Sequence, residues 1–409
     1  MFNVELIRKD FPLIDKNENL IYFDNAATTQ KPNCVLEAIN DLYCNYNANP
    51  HALDYPLAVT STNKYNEARE IVAKFINADA KEIVFTSGDT DGLNKIALSL
   101  CKKLNKGDEV LLTVAEHASN VLPWFKAKKD YGIEVNYIDL TKDGQLTLEN
   151  VKKAVTNNTK IISIAHITNV LGYVVDVESI CKFAHSKGIK VIVDAAQSIP
   201  HIKTDVKQLD CDFLVFSGHK IYGPTGIGVL FGKYKELLEL EPLNLGGGSN
   251  SRFDMCGEYS LLLPPAKFES GTVNLEGAIG LGSAIKYIEN IGMDNVEKYE
   301  RELTQYAIEK MNKIEGVKIY NEHSACGIIT FNYKDVFAQD LATHLSSYGV
   351  CVRSGQHRAK ILTDFLGAYA TVRASFGIYN TKEEIDRFVE ALKKGDEFLD
   401  VYFKWSNIS

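Results

Sequence analysis

The sequence predicts an α/β protein with a mostly parallel, helix-covered sheet in a large domain and a smaller α+β domain beside it. Short, almost wholly apolar runs recur at Glu109–Val114, Glu134–Ile138, Lys160–His166, Lys190–Asp194, Phe213–Phe216 and Ile227–Phe231. Runs that are apolar throughout belong to strands covered on both faces, as in a parallel sheet packed between helices. The length, 409 residues with 45% hydrophobic and 24% charged, allows a large core and is long for one domain. The expected division is a large domain over residues 17–290 and a small one built from 1–16 and 291–409.

In chain order, Val4–Phe11 reads as a short helix. Gly88-Asp89-Thr90-Asp91-Gly92 opens a helical run, Leu93–Leu104, whose free N–H groups and dipole suit an anion. The six apolar runs then alternate with helical stretches. Leu245–Pro265, with Gly246, Gly247 and Gly248 in succession, reads as a loop, and helical periodicity resumes over Leu275–Asn312. Beyond residue 290 the pattern strand, helix, strand, helix closes with a helix expected over Lys382–Tyr402.

Composition removes several function classes. A net charge of −8 without basic clusters argues against nucleic acid. The absence of a membrane-length apolar run, and of a basic-then-apolar start, leads to the expectation of a cytoplasmic protein off the membrane. The eight cysteines are scattered without metal-ligand spacing, so no metal is expected and the thiols are read as reduced.

Two positions carry the chemistry. Lys220 lies in Phe216-Ser217-Gly218-His219-Lys220-Ile221-Tyr222-Gly223-Pro224, between two apolar runs and so at a strand end. A lysine partly desolvated there loses its proton readily and condenses with aldehydes. Asp194 ends the run Lys190–Asp194, as a parallel strand delivers a carboxylate to a sheet edge. Alone, such an aspartate is more often a helix cap. Paired with Lys220, it supplies what pyridoxal phosphate requires: an amine for the aldehyde and a carboxylate for the ring nitrogen.

Further motifs stand in order along the chain: Ile21-Tyr22-Phe23-Asp24-Asn25-Ala26-Ala27, Ala115-Glu116-His117, Pro123-Trp124, His166-Ile167-Thr168-Asn169-Val170-Leu171-Gly172, Phe268-Glu269-Ser270-Gly271-Thr272 and Arg373-Ala374-Ser375. With these the chain resembles the class V aminotransferases of pyridoxal fold type I, and among them the SufS-type (group II) cysteine desulfurases. The resemblance implies that His117 stacks on the cofactor ring and shuttles protons, and that Asp194 and Gln197 hold the ring nitrogen and hydroxyl. It places Thr90, Ser217 and His219 at the phosphate, with Asp89 beside it. Thr272 would reach the phosphate of a neighbouring subunit, implying a homodimer with shared active sites. Asn169 would touch the ring hydroxyl and the carboxylate of an amino-acid substrate, and Arg373 would clamp that carboxylate with help from backbone near Ala26.

The chain departs from the resemblance at one decisive residue. In the run Val352-Arg353-Ser354-Gly355-Gln356-His357-Arg358-Ala359-Lys360, the family's sulfur-accepting cysteine falls on Arg358. Arginine stays protonated and cannot accept sulfur. Its guanidinium suits a second acid group on the substrate instead. Asp89 also stands where the family has a small neutral residue, and is expected to cap its helix and point away from the phosphate. The expected function is carbon–sulfur lysis or a related β-elimination at an amino acid, without persulfide. An aminotransferase, a desulfurase using another thiol and a non-catalytic cofactor-binding scaffold are the alternatives.

Overall fold

The computed structural model describes residues 2–324 and 326–397. Its main sheet has seven strands: β1 (Ile83–Thr86), β2 (Glu109–Thr113), β3 (Glu134–Ile138), β4 (Thr159–Ala165), β5 (Lys190–Asp194), β6 (Phe213–Ser217) and β7 (Gly228–Gly232), in the order β1-β7-β6-β5-β4-β2-β3. Every pairing from β6 to β3 is parallel, while β7 runs antiparallel to both β6 and β1. The mostly parallel sheet is as expected. Strand β1 was not among the predicted runs; at four residues and behind a helix it offers little pattern.

Alternation along the central strands shows why these runs are apolar throughout. Val191, Val193, Leu214 and Phe216 enter one core, against helices Pro56–Phe75, Val177–Ser186 and Leu275–Ile291. Ile192, Phe213 and Val215 enter the other, against helices α1 (Asp89–Leu100) and α2 (Ala118–Tyr131). Both faces are covered by helices, so these positions are apolar on either side of the sheet.

A second sheet is built from β8 (Val317–Ile319), β9 (Ile328–Tyr333), β10 (Arg353–Gly355) and β11 (Thr371–Ser375), all antiparallel, in the order β8-β9-β11-β10. Helices Met293–Met311, Ala338–Ser347 and Lys382–Leu392 pack on it through a separate core. The segment after Ile21–Tyr22, which pairs in parallel with Val350–Cys351, ties the two bodies together. There Asn25 donates to the Ser375 carbonyl at 2.8 Å and Ser375 Oγ accepts from Ala26 N–H at 2.9 Å. At the N-terminus, Arg8 bonds Glu384 at 2.7 Å while Phe11 packs edge-on against Tyr222 and Tyr287.

Several boundaries differ from expectation. The N-terminal helix splits into Val4–Lys9 and Pro12–Asp15, because Pro12 lacks the N–H needed to continue the first helix. Leu245–Pro265 contains a hairpin, Asn250–Phe253 with Tyr259–Leu261, whose exposed residues give no hydrophobic alternation. The run Leu275–Asn312 is two helices that part at Gly292, where φ is 89°. The last helix ends at Leu392; the rest of the expected Lys382–Tyr402 span from residue 398 on lies outside the described residues.

Glu269 anchors the turn before the exposed Thr272. Its carboxylate is buried and accepts from Arg69 Nη1 and Nη2 at 2.7 Å each, from Phe85 N–H at 2.7 Å and from Tyr65 Oη at 2.9 Å. Removing one partner of such a pair leaves a buried charge unmatched. Glu269→Ala is therefore expected to cost about 3–5 kcal/mol of unfolding free energy, read by urea denaturation; a loss below about 1 kcal/mol would contradict the anchor.

Candidate active site

Polypeptide following β1, β2, β4, β5 and β6 converges on a cavity of about 650 Å³, with the β10–β11 sheet contributing the opposite wall. This is where open α/β sheets hold ligands. Of the predicted residues, Ala26, Asp89, Thr90, His117, Asn169 and Asp194 line it. So do Gln197, Ser217, His219, Lys220, Arg358 and Arg373. Thr272 stands apart, exposed after Gly271.

Lys220 ends a tight turn, Gly218–Lys220, that follows β6 directly. Burial lowers its ammonium pKa below the ordinary lysine range, while Asp194 and Asp89 pull the other way. Asp194, 5% exposed at the end of β5, accepts from Ala196 N–H at 2.9 Å. Asp89 corrects the sequence expectation. Gly88 occupies the cap position of α1, and Asp89, the first helical residue, is 6% exposed with its carboxyl against Asp194. Its N–H donates to Ser217 Oγ at 2.8 Å. The turn can sit this deep because two glycines meet: a Cβ on Gly228 would fall 2.5 Å from Gly88 Cα.

His117 caps α2. Its Nδ1 accepts from Ser119 N–H at 3.2 Å and lies 3.0 Å from Ser119 Oγ, which is 2.7 Å from Thr90 Oγ1. Burial, then the positive charges of Lys220, Arg353, Arg373 and Arg358, push its pKa down to about 4. The ring is thus neutral at pH 7, and its Nδ1 is committed as an acceptor.

Arg373, 1% exposed on β11, donates from Nη1 to the Asn169 carbonyl at 2.8 Å and from Nη2 to Asp24 at 3.3 Å. Asn169 Nδ2 donates to the His357 carbonyl at 2.8 Å, and Gln197 Nε2 to the Ala26 carbonyl at 2.8 Å. These bonds fix the side chains and leave Asn169 Oδ1, Gln197 Oε1 and Arg373 Nε buried without a hydrogen-bond partner. Buried polar atoms are costly unless a ligand satisfies them. Together with the cavity volume, they fit a polar aromatic cofactor and a carboxylate.

The Arg358 segment is held by backbone. The Arg358 carbonyl accepts from Ala118 N–H at 2.8 Å, and His357 Nε2 lies 2.9 Å from Thr371 Oγ1. Arg358 has φ of 60° and an exposed side chain that still lines the cavity. No cysteine lines the cavity among the described residues. Cys351 pairs with the Ile21–Tyr22 strand, and burial and then Asp24 raise its thiol pKa, keeping it a poor nucleophile.

Sequence reasoning missed Arg353, which pairs in register with Arg373 on the adjacent strand and lines the same cavity. It also missed Ser119, the hydroxyl linking His117 to Thr90. The signal for Arg353 was a basic residue in a short strand directly before the Arg358 loop; nothing in the sequence marks Ser119.

The class-V aminotransferase family matches residues 21–388. A protein of Halalkalibacterium halodurans described as a probable cysteine desulfurase is 44% identical, covering 98% of this chain and 100% of its own length. A Staphylococcus aureus protein with the same description is also 44% identical, covering 98% and 99%. Among solved structures, the cysteine desulfurase CsdA of Escherichia coli superposes with a TM-score of 0.91 at 35% identity, covering 97% of this chain and 99% of that one. The apo cysteine desulfurase of Thermococcus onnurineus gives 0.92 at 38%, covering 95% and 97%. The chain belongs to the class-V aminotransferase family, whose members are pyridoxal phosphate-dependent enzymes.

Proposed function

We propose that this enzyme carries out a β-elimination, such as carbon–sulfur lysis, on an amino acid whose side chain bears a second acid group, and that it does so without a protein persulfide. The observation that carries the reading is a cavity lined by Arg358 and, among the described residues, by no cysteine. The relatives described as cysteine desulfurases support the starting chemistry at an amino-acid α-carbon.

Bound pyridoxal phosphate supplies the electron sink that makes the α-proton acidic. Thr90, Ser217 and His219 would hold its phosphate, Asp194 its ring nitrogen, and Gln197 and Asn169 its ring hydroxyl. The protein residues do the rest. Arg373 grips the substrate α-carboxylate, its position set by the Asn169 carbonyl and Asp24. Lys220, its pKa lowered by burial, takes the α-proton. His117, neutral and with Nδ1 held by Ser119 N–H, would present Nε2–H to the cofactor as a proton donor. Arg358 holds the anionic side chain as it leaves. Thr272 would complete the phosphate site of a second copy in a homodimer.

Arg358→Ala is expected to raise KM for an acid-bearing substrate roughly 10- to 100-fold, the worth of one charge-assisted hydrogen bond, and to leave KM for S-methylcysteine within about threefold. Equal losses for both substrates would overturn the assignment. For His117, an NMR titration of histidine-labelled protein, assigned with His117→Asn, is expected to show protonation only near pH 4. A midpoint near the ordinary histidine value of about 6.5 would remove the neutral ring on which its role depends.

A further inference from the structure

Asp89 is a buried carboxyl group that the proposed reaction does not use, next in the chain to Thr90 and bonded through its N–H to Ser217, two residues proposed to hold the phosphate. It is 6% exposed and touches Asp194, and its Oδ1 has no hydrogen-bond partner. Two carboxylates in contact cannot both ionise cheaply in a dry site, so the pair holds one proton between them.

We infer that Asp89 is a neutral acid that donates its proton to Asp194, making it a positioning residue for the ring-nitrogen carboxylate and a limit on the pH range over which the protein holds pyridoxal phosphate. The charges around it agree. Asp194 from β5 and Lys220 from the turn after β6 face it directly. On its own helix, Asp91 is turned away to Ser87 N–H and Lys95. From α2 comes His117, from the turn after β6 His219, and from the far wall Arg353, Arg358 and Arg373. Burial and Asp194 both raise the Asp89 pKa well above the ordinary carboxyl value; burial raises that of Asp194 as well, but there Lys220, the Ala196 N–H and the Asp89 hydrogen bond oppose it. One proton therefore serves both groups: Asp194 stays anionic for the ring nitrogen, and Asp89 stays uncharged beside the phosphate.

The sign follows from linkage. A carboxyl whose pKa is raised in the folded site favours the protonated form, and that stabilisation is lost as pH rises through the raised value. Once the last proton leaves, Asp89 becomes a second negative charge next to Thr90 and Ser217, the residues proposed to hold the phosphate, and repels it. The inference concerns cofactor retention and holds whichever reaction follows.

The test is the affinity of the full-length apo-protein for pyridoxamine phosphate, followed by quenching of protein fluorescence from pH 7 to 10. This probe carries the same ring and phosphate but forms no imine with Lys220; titration of Lys220 and of the probe itself enters wild type and variants alike, so the readout is the difference between their profiles. In the wild type, Kd is expected to rise about tenfold per pH unit above the titration of the pair. Asp89→Asn, which keeps a donor for Asp194 but cannot ionise, should lack the Asp89-dependent part of this rise, its Kd climbing less steeply than that of the wild type by about tenfold per pH unit. Asp89→Ala should lack the same part of the rise and bind more weakly than Asp89→Asn throughout, the donor being gone. A wild-type Kd that does not change over this range overturns the proposal without recourse to any variant. So does an Asp89→Asn profile that follows the wild type, or Asp89→Ala binding equal to the wild type at every pH.

Discussion

The site depends on burying one lysine and two carboxylates at the same sheet edge. Lys220, Asp194 and Asp89 come from three separate turns, and each is unfavourable there alone: burial lowers the lysine pKa and raises both carboxyl values. The attraction of Lys220 for the two carboxyl groups makes the arrangement tolerable, and the burial that lowers its pKa leaves Lys220 unprotonated often enough to act. The rest of the fold serves this arrangement. The parallel strands bring their carboxyl ends together, the contact of Gly88 with Gly228 lets α1 start against β6, and the second sheet carries Arg353 and Arg373 to the opposite wall.

Much of this could be read from the sequence, for physical reasons. Strands buried on both faces leave unbroken apolar runs, and five of the six predicted runs coincide with the parallel core from β2 to β6. Lys220 and Asp194 were found because each ends such a run. The hairpin at Asn250–Leu261 escaped because its residues are exposed on both strands and carry no period. Asp89 was misread because an aspartate at a helix start usually caps it; here Gly88 has that place, and the neighbouring strands pull the carboxyl inward. Arg353 was hidden by a strand of three residues, too short to show alternation.

The departure from the desulfurase resemblance that bears on the proposed reaction is Arg358. Arg358 sits on a segment tied by backbone to Ala118 and by His357 to Thr371, so the loop keeps a defined course although its side chain differs in kind from a thiol. Around it the cavity is strongly positive, with Arg353 and Arg373 paired across two strands. A second negative charge on the substrate is the chemistry that such a wall favours. Burial holds His117 neutral, with Lys220 and then these arginines adding to it.

The most direct measurement follows the visible absorbance of the cofactor-loaded enzyme as single amino acids are added, with products assayed afterwards. Cysteine, cystine, cysteine sulfinate and aspartate come first. An amino acid that bears both a second acid group and a β-leaving group, such as cystine, is expected to shift the spectrum and to yield pyruvate, ammonia and the released leaving group, with no sulfur attached to the protein. Conversion of cysteine to alanine with a protein-bound persulfide would contradict it, since one of the thiols away from the cavity would then be the nucleophile.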